Sequence, residues 1–179
     1  MTSAAQLGFL DGYLYKAALL AAPESLSAVP EVKGYGFDSD LDTEQIGPRK
    51  FKMRKPLRYT SSTGEIIDIP AGFVTDYYTL PEISDRVLPG ISQELNKDPR
   101  PAVLHDYLYH TGMINGKRIK KMQADALLYD AMSSQKLEDK LKNIVRFGVQ
   151  MGGSPAWYAY RARDLGYRAN NSIWQNLWR

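Results

Sequence analysis

Cysteine is absent from the 179-residue sequence, and only two histidines are present. Without cysteine the chain can form neither a disulfide bond nor a thiolate metal site, so any bound ion must be held by imidazole or oxygen ligands. The net charge is only +3, which is too small for the strong basic field of a dedicated nucleic-acid binder. We therefore expect no nucleic-acid partner.

Long hydrophobic runs are also missing. No segment approaches the roughly 20 apolar residues that a membrane-spanning helix requires. The apolar stretch at residues 14–22 lacks the preceding basic segment of a signal peptide. We therefore expect a soluble, unprocessed chain without a transmembrane segment. Its 44% hydrophobic and 24% charged residues are typical of a folded globular protein.

Hydrophobic periodicity divides the chain into three parts. Residues 1–48 combine an amphipathic helix, predicted over residues 4–22, with an extended arm that contains several glycines and prolines. Residues 49–163 form the predicted core domain. Residues 164–179 form a C-terminal tail that contains two tryptophans. The arm and the tail are the expected contact surfaces for partner proteins.

Strand signals precede helix signals within the core. Alternating short runs predict a small antiparallel hairpin or meander at residues 51–54, 57–61 and 65–69. Helical spacing follows at residues 101–110, 117–134 and 137–152. The predicted fold class is α+β, with a small antiparallel sheet followed by a helical core in which two helices pack antiparallel.

The segment AVLHDYLYH places His105 and Asp106 side by side on a predicted helix, with Tyr109 one turn after the histidine. Adjacent helical residues point about 100° apart, so one of the pair can face a pocket while the other faces an ion. Asp125 lies on the next predicted helix, where antiparallel packing would bring it to the His105 ring. His105 would then be a general base, Asp125 its orienting acid and Tyr109 a supporting hydrogen-bond donor.

A possible cation site lies upstream of this helix. Asp76 follows a predicted strand and a glycine turn, in a loop whose carboxylate and backbone carbonyls could bind a hard cation, and Asp106 could supply a second carboxylate. Such oxygen ligands suit Ca²⁺ better than Zn²⁺. Two alternatives stay open. Asp76 could cap a turn or the helix that follows at Pro81, and His105 could be a buried histidine that its carboxylate partner merely supplies with a hydrogen bond.

Four segments together resemble a phage and prophage protein family known mainly as a domain of unknown function. They are GFVTDYYTLP, HDYLY, QADALLYDAM and VRFGVQMGGSPAW, and they lie within residues 50–160. The loop departs from the family pattern at Thr79, where serine is usual, and this change keeps the hydroxyl. The resemblance implies a phage origin, and hence a virion protein whose arm and tail contact other virion proteins.

A more distant resemblance is to calcium-dependent phospholipases of the A2 class, which share a His-Asp-x-x-Tyr helix and a later aspartate that supports the histidine. It implies His105, Tyr109 and Asp125 as catalytic residues, and Asp76 and Asp106 as calcium ligands. The cysteines and the glycine-rich calcium loop of many such enzymes are absent.

Three functional hypotheses follow from these patterns. The first is a virion protein, of the tail or tail tip, with a phospholipase-like ester hydrolase site that acts on lipid or another envelope substrate during host entry. The second is a non-catalytic structural adaptor in which the His-Asp-Asp cluster is a buried hydrogen-bond network. The third is a cytoplasmic protein made during infection and never packaged.

Overall fold

Three short β-sheets and four helices make up the part of the chain that this computed structural model describes, residues 32–78 and 89–165. The strands are β1 (Gly36–Phe37), β2 (Thr43–Gly47), β3 (Lys50–Met53), β4 (Leu57–Thr60), β5 (Ile66–Ile69), β6 (Val74–Thr75), β7 (Met113–Ile114) and β8 (Lys117–Arg118). The helices are α1 (Ile91–Leu95), α2 (Arg100–Thr111), α3 (Lys121–Ser134) and α4 (Asp139–Asp164).

All strand pairs in the described residues are antiparallel. The sheets have the orders β1-β4-β5 and β2-β3-β6, and β7 and β8 form a separate hairpin. Between β4 and β5, buried Tyr59 lies opposite Ile67, whereas Arg58 and Asp68 pair on the outer face, with Nε and Oδ1 2.7 Å apart. This alternation follows from the two-residue period of a strand. The predicted α+β class is confirmed.

Two strands lie inside the segment that the sequence analysis predicted to be an arm. β1 pairs with β4, and β2 pairs with β3, so residues 36–47 join the two larger sheets of the same chain. The helix predicted over residues 4–22 lies outside the described residues, as does the tail beyond residue 165.

One core joins the β4–β5 sheet to the long helices. Side chains that are at most 9% exposed come from both layers, among them Tyr59, Ile69, Leu104, Leu108, Ala131 and Trp157. α4 continues through Pro155, past the predicted end at residue 152. Burial of Trp157 against the core explains why tertiary packing overrides the local break. No helix among the described residues is both long enough and apolar enough to cross a membrane.

The C-terminal end of α2 is closed by an arginine from α4. Arg161 Nη2 donates hydrogen bonds of 3.0 Å to the backbone oxygens of Tyr109 and His110. Its guanidinium also lies 4.8 Å from the centre of the Trp157 ring. The guanidinium fits because Gly112 has no side chain: a Cβ there would lie 1.1 Å from Arg161 Nη1. Gly112 therefore fixes how α4 meets α2.

Replacing Gly112 with alanine is expected to lower the free energy of unfolding by about 3 kcal/mol or more, because it adds left-handed strain and displaces a charged hydrogen-bond donor. Gly116→Ala is the matched control, since its φ of +75° resembles the +60° of Gly112 but a Cβ there meets nothing within 4 Å. It should cost only about 1–2 kcal/mol. Equal losses in urea denaturation of the two variants would show that the Arg161 cap adds nothing.

Candidate functional site

α2 and α3 bring His105 and Asp125 into direct contact. His105 Nε2 lies 3.0 Å from Asp125 Oδ1. The helices run antiparallel, because Tyr109 near the end of α2 also reaches Asp125, whereas Ala102 near its start clusters with Met132 near the end of α3. The contact that the sequence analysis expected is therefore present, and it depends on the packing of these two helices.

The side chains of three residues form hydrogen bonds with the Asp125 carboxylate: His105, Tyr109 and Lys121. Besides His105, the Tyr109 hydroxyl donates to Oδ1 at 2.7 Å and the Lys121 ammonium donates to Oδ2 at 2.7 Å. Burial raises the pKa of Asp125, but the hydrogen bonds from His105, Lys121 and Tyr109 outweigh it, and the pKa lies below its ordinary value. Asp125 is therefore a carboxylate at neutral pH.

The His105 imidazole is buried but borders a cavity. The residue is 9% exposed, and its ring centre lies 4.1 Å from that of Tyr109. Burial lowers the pKa of His105, against the opposing effect of Asp125. The ring is therefore neutral at pH 7, with its proton on Nε2 toward the carboxylate. Nδ1 is then the ring nitrogen that can accept a proton.

Asp106 meets the loop that follows β6. The Thr75 hydroxyl donates a short hydrogen bond to Asp106 Oδ2. Asp76 follows Thr75 directly, and it lies close enough for its charge to act on the Asp106 carboxyl group. The loop turns at Tyr77, which has a φ of +59° and stacks on Phe51 with ring centres 4.2 Å apart. The structure thus places the two predicted calcium ligands side by side.

Burial raises the pKa of Asp106 to about 8, and the neighbouring Asp76 charge adds to this effect. A carboxyl group with a raised pKa beside a second acidic side chain can exchange its proton for a cation, because a divalent ion neutralises both charges at once. Within residues 32–78 and 89–165, no group of three or more His, Asp or Glu side chains is placed to hold a metal ion. Any cation here would be bound by these two carboxylates, hydroxyl or carbonyl oxygens, and water.

The raised pKa of Asp106 gives a prediction for the calcium-free protein. Between about pH 4 and pH 8 the folded chain holds a proton that the unfolded chain releases, so this group makes stability fall as the pH rises, by at most about 1.4 kcal/mol per pH unit. Asp106→Asn should remove this contribution. The check is the difference in free energy of unfolding between wild type and variant, measured by urea denaturation across this range. A difference that does not change with pH would contradict the assigned environment.

His105 and Asp106 both line one cavity of about 270 Å³ between α2, α3 and α4. Tyr77, Tyr78 and Tyr109 contribute to the same lining. The catalytic candidate and the cation candidate therefore meet at one space, as the 100° offset of adjacent helical residues allows. His110, to which the sequence analysis gave no role, lies at the end of α2, where Arg163 contacts it.

Sequence reasoning missed Lys121 and Thr75. Lys121 also donates to the backbone oxygen of Val149 at 2.8 Å, so it ties Asp125 to α4. Its position four residues before Asp125 on α3 was an available signal, because residues at this spacing share a helix face. Thr75 gave no such signal, since its partner Asp106 belongs to a distant part of the sequence.

Residues 51–149 match the family described as "Protein of unknown function (DUF1353)". This match covers more than half of the chain and includes all five predicted site residues. No curated protein and no solved structure gives a significant match. The chain therefore belongs to the DUF1353 family.

Proposed function

We propose that this protein is a calcium-dependent ester hydrolase of the phospholipase-like type, carried on a phage virion, in the tail or tail tip, where it helps to breach the host envelope. The observation that carries the proposal is that His105, held by the Asp125 carboxylate, and Asp106, which neighbours Asp76, line one cavity. General-base catalysis and the binding of a hard cation need these two arrangements.

In this mechanism His105 Nδ1 takes a proton from a water molecule as that water attacks the ester carbonyl carbon. Asp125 holds the ring through Nε2 and stabilises the imidazolium that forms. Tyr109 and Lys121 keep the Asp125 carboxylate in position. The proton then passes from Nδ1 to the oxygen of the departing alcohol, so that one ester bond breaks and one carboxylic acid forms.

Asp76 and Asp106 would hold the calcium ion, because the charge of Asp76 already acts on Asp106 and the Thr75 hydroxyl, a further oxygen ligand, contacts Asp106. When bound, the ion would stabilise negative charge on the carbonyl oxygen of the ester.

The test of the activity is fatty-acid release from phospholipid vesicles, with and without calcium. We expect release by the wild type in calcium and a rate near background in EGTA. Equal, negligible rates for wild type and His105→Ala in calcium would remove the catalytic proposal. The virion location is supported by the sequence resemblance, and mass spectrometry of purified phage particles tests it: absence of the protein from the particles would contradict it.

A structural adaptor without activity is the second candidate, and one observation favours it. The Asp125 side chain is only 10% exposed and takes part in hydrogen bonds with three side chains. A buried network of this kind also stabilises a core that has no catalytic role. The adaptor hypothesis predicts that no ester is hydrolysed, and that the protein is held in the particle by other virion proteins that chemical crosslinking would identify.

A further inference from the structure

We infer that the cavity beside His105 and Asp106 binds one short acyl chain headed by a hydrogen-bond acceptor, and that Gly148 and Gly152 of α4 set the length of that chain. The inference rests on the proposed hydrolase and narrows its substrate class. It uses the size of the cavity, its lining, the two open glycines and one buried hydroxyl.

The lining favours hydrocarbon over a polar substrate. Apart from His105, Asp106 and three tyrosines, the cavity is bounded by alanine, leucine, valine and glycine residues of α2, α3 and α4. A glycan in this space would leave hydroxyl groups without partners, which is costly away from water. An alkyl chain would bury its surface against these side chains at no such cost.

The volume favours one chain. The cavity of about 270 Å³ is less than twice the roughly 150 Å³ of an apolar cavity that encloses one benzene molecule, and it lies below the usual range for pockets that enclose whole drug-sized ligands. One short chain would fill it. Two chains of a diacyl lipid would not fit together.

Gly148 and Gly152 are exposed residues of α4 that border the open side of the cavity. They are four residues apart and therefore share one face of α4, both line the cavity, and a Cβ on either would meet nothing within 4 Å. Gly153 differs, because a Cβ there would lie 2.5 Å from the Tyr109 hydroxyl. Glycine weakens a helix relative to alanine. Packing explains Gly153, whereas Gly148 and Gly152 leave the mouth of the cavity open.

Tyr78 provides the independent sign of a ligand. Its side chain lines the same cavity, the residue is 8% exposed, and its buried hydroxyl has no hydrogen-bond partner among the described residues. Buried hydroxyl groups are normally paired, and leaving one unpaired is unfavourable. An oxygen at the head of a bound chain would accept the missing hydrogen bond.

The experiment is an NMR titration of the full-length chain with 1-alkanols from butanol to decanol, in EGTA. Alkanols are neutral and cannot be hydrolysed, so the result does not depend on calcium or on activity. Affinity should rise about fourfold per methylene and level off near about eight carbons, the length that fills the cavity. Tyr78→Phe should weaken binding of every alkanol by roughly 3- to 10-fold.

Gly148→Leu should make the affinity level off about four carbons earlier, because its side chain occupies the space that the longer chains use. Gln150→Leu is the matched control, because it introduces the same residue at an exposed position of the same helix. It should leave the dependence of alkanol affinity on chain length unchanged. Leucine favours helix over glycine, so the melting temperature of Gly148→Leu should not fall. If that variant does unfold, Gly152→Leu replaces it.

Two results would overturn the inference: no alkanol binds the wild type, or a folded Gly148→Leu variant shows the same dependence of affinity on chain length as the wild type. The experiments distinguish failure of this inference from failure of the proposed function. A chain that binds alkanols but releases no fatty acid in calcium has the acyl site without the hydrolase. A chain that hydrolyses esters with no dependence on Gly148 has the hydrolase without this site.

Discussion

Replacing His105 with alanine is expected to lower kcat/KM for ester hydrolysis by about 10²- to 10⁴-fold, the usual contribution of a general base. The variant loses the only imidazole that borders the cavity within the described residues. It also leaves the Asp125 carboxylate with two hydrogen-bond donors, Tyr109 and Lys121. Initial rates on a soluble short-chain ester in saturating calcium give this ratio without the complication of vesicle binding.

The other histidine of the chain is the matched control. His110 is the next-to-last residue of the same helix, its Nε2 is 3.3 Å from Arg163 Nη1, and it does not line the cavity. His110→Ala should keep kcat/KM within about twofold of the wild type, as expected for a residue outside the site. Equal losses in the two variants, with both folded by circular dichroism, would mean that His105 acts through stability.

Removing either proposed calcium ligand is expected to weaken calcium binding about tenfold or more, because charge count sets the affinity of an oxygen-ligand site. Asp76→Asn and Asp106→Asn each remove one of two carboxylates, and the ester hydrolysis that depends on calcium should fall with the affinity. Isothermal titration calorimetry with calcium chloride gives the dissociation constants directly.

Asp139→Asn is the control for this series. It removes one negative charge from a side chain that is 84% exposed at the start of α4. It should leave the calcium affinity unchanged, because an exposed charge outside the site is screened by salt. If the wild type binds no calcium, or if all three variants bind it equally, the carboxylate pair is not the cation site.

The sequence predicted the contact between His105 and Asp125 because both signals were local. Helical spacing identified the two helices, and a short connection between helices implies antiparallel packing. The same logic placed Asp106 on the neighbouring face. The carboxylate pair was predicted in outline, since Asp76 follows a turn, but the Thr75 hydroxyl and the Tyr77 turn that hold the loop could not be deduced from spacing.

The second core helix was predicted to begin at residue 117, but the structure shows the β7–β8 hairpin there, and α3 begins at Lys121. Asn115 and Gly116 form its turn with φ values of +50° and +75°. An Asn-Gly pair is a strong signal for this kind of turn, but the flanking strands have only two residues each, too few for a visible alternation. β1 was equally hard to predict, because its two residues are held only by pairing with β4.

The position of α4 could not be derived from its own sequence. Gly152, Gly153 and Pro155 are typical of a helix end, yet the helix continues because Trp157 is buried and Arg161 closes the end of α2. These contacts are long-range. Because α4 supplies part of the cavity lining, the sequence predicted the chemical groups of the site without predicting its walls.

The most direct test of the central claim is a crystal structure of the protein grown in calcium, with the anomalous signal used to locate the ion. Our account predicts a peak between the carboxylates of Asp76 and Asp106, with the hydrogen bond between His105 and Asp125 preserved beside it. The absence of an anomalous peak near these two side chains at saturating calcium would contradict it.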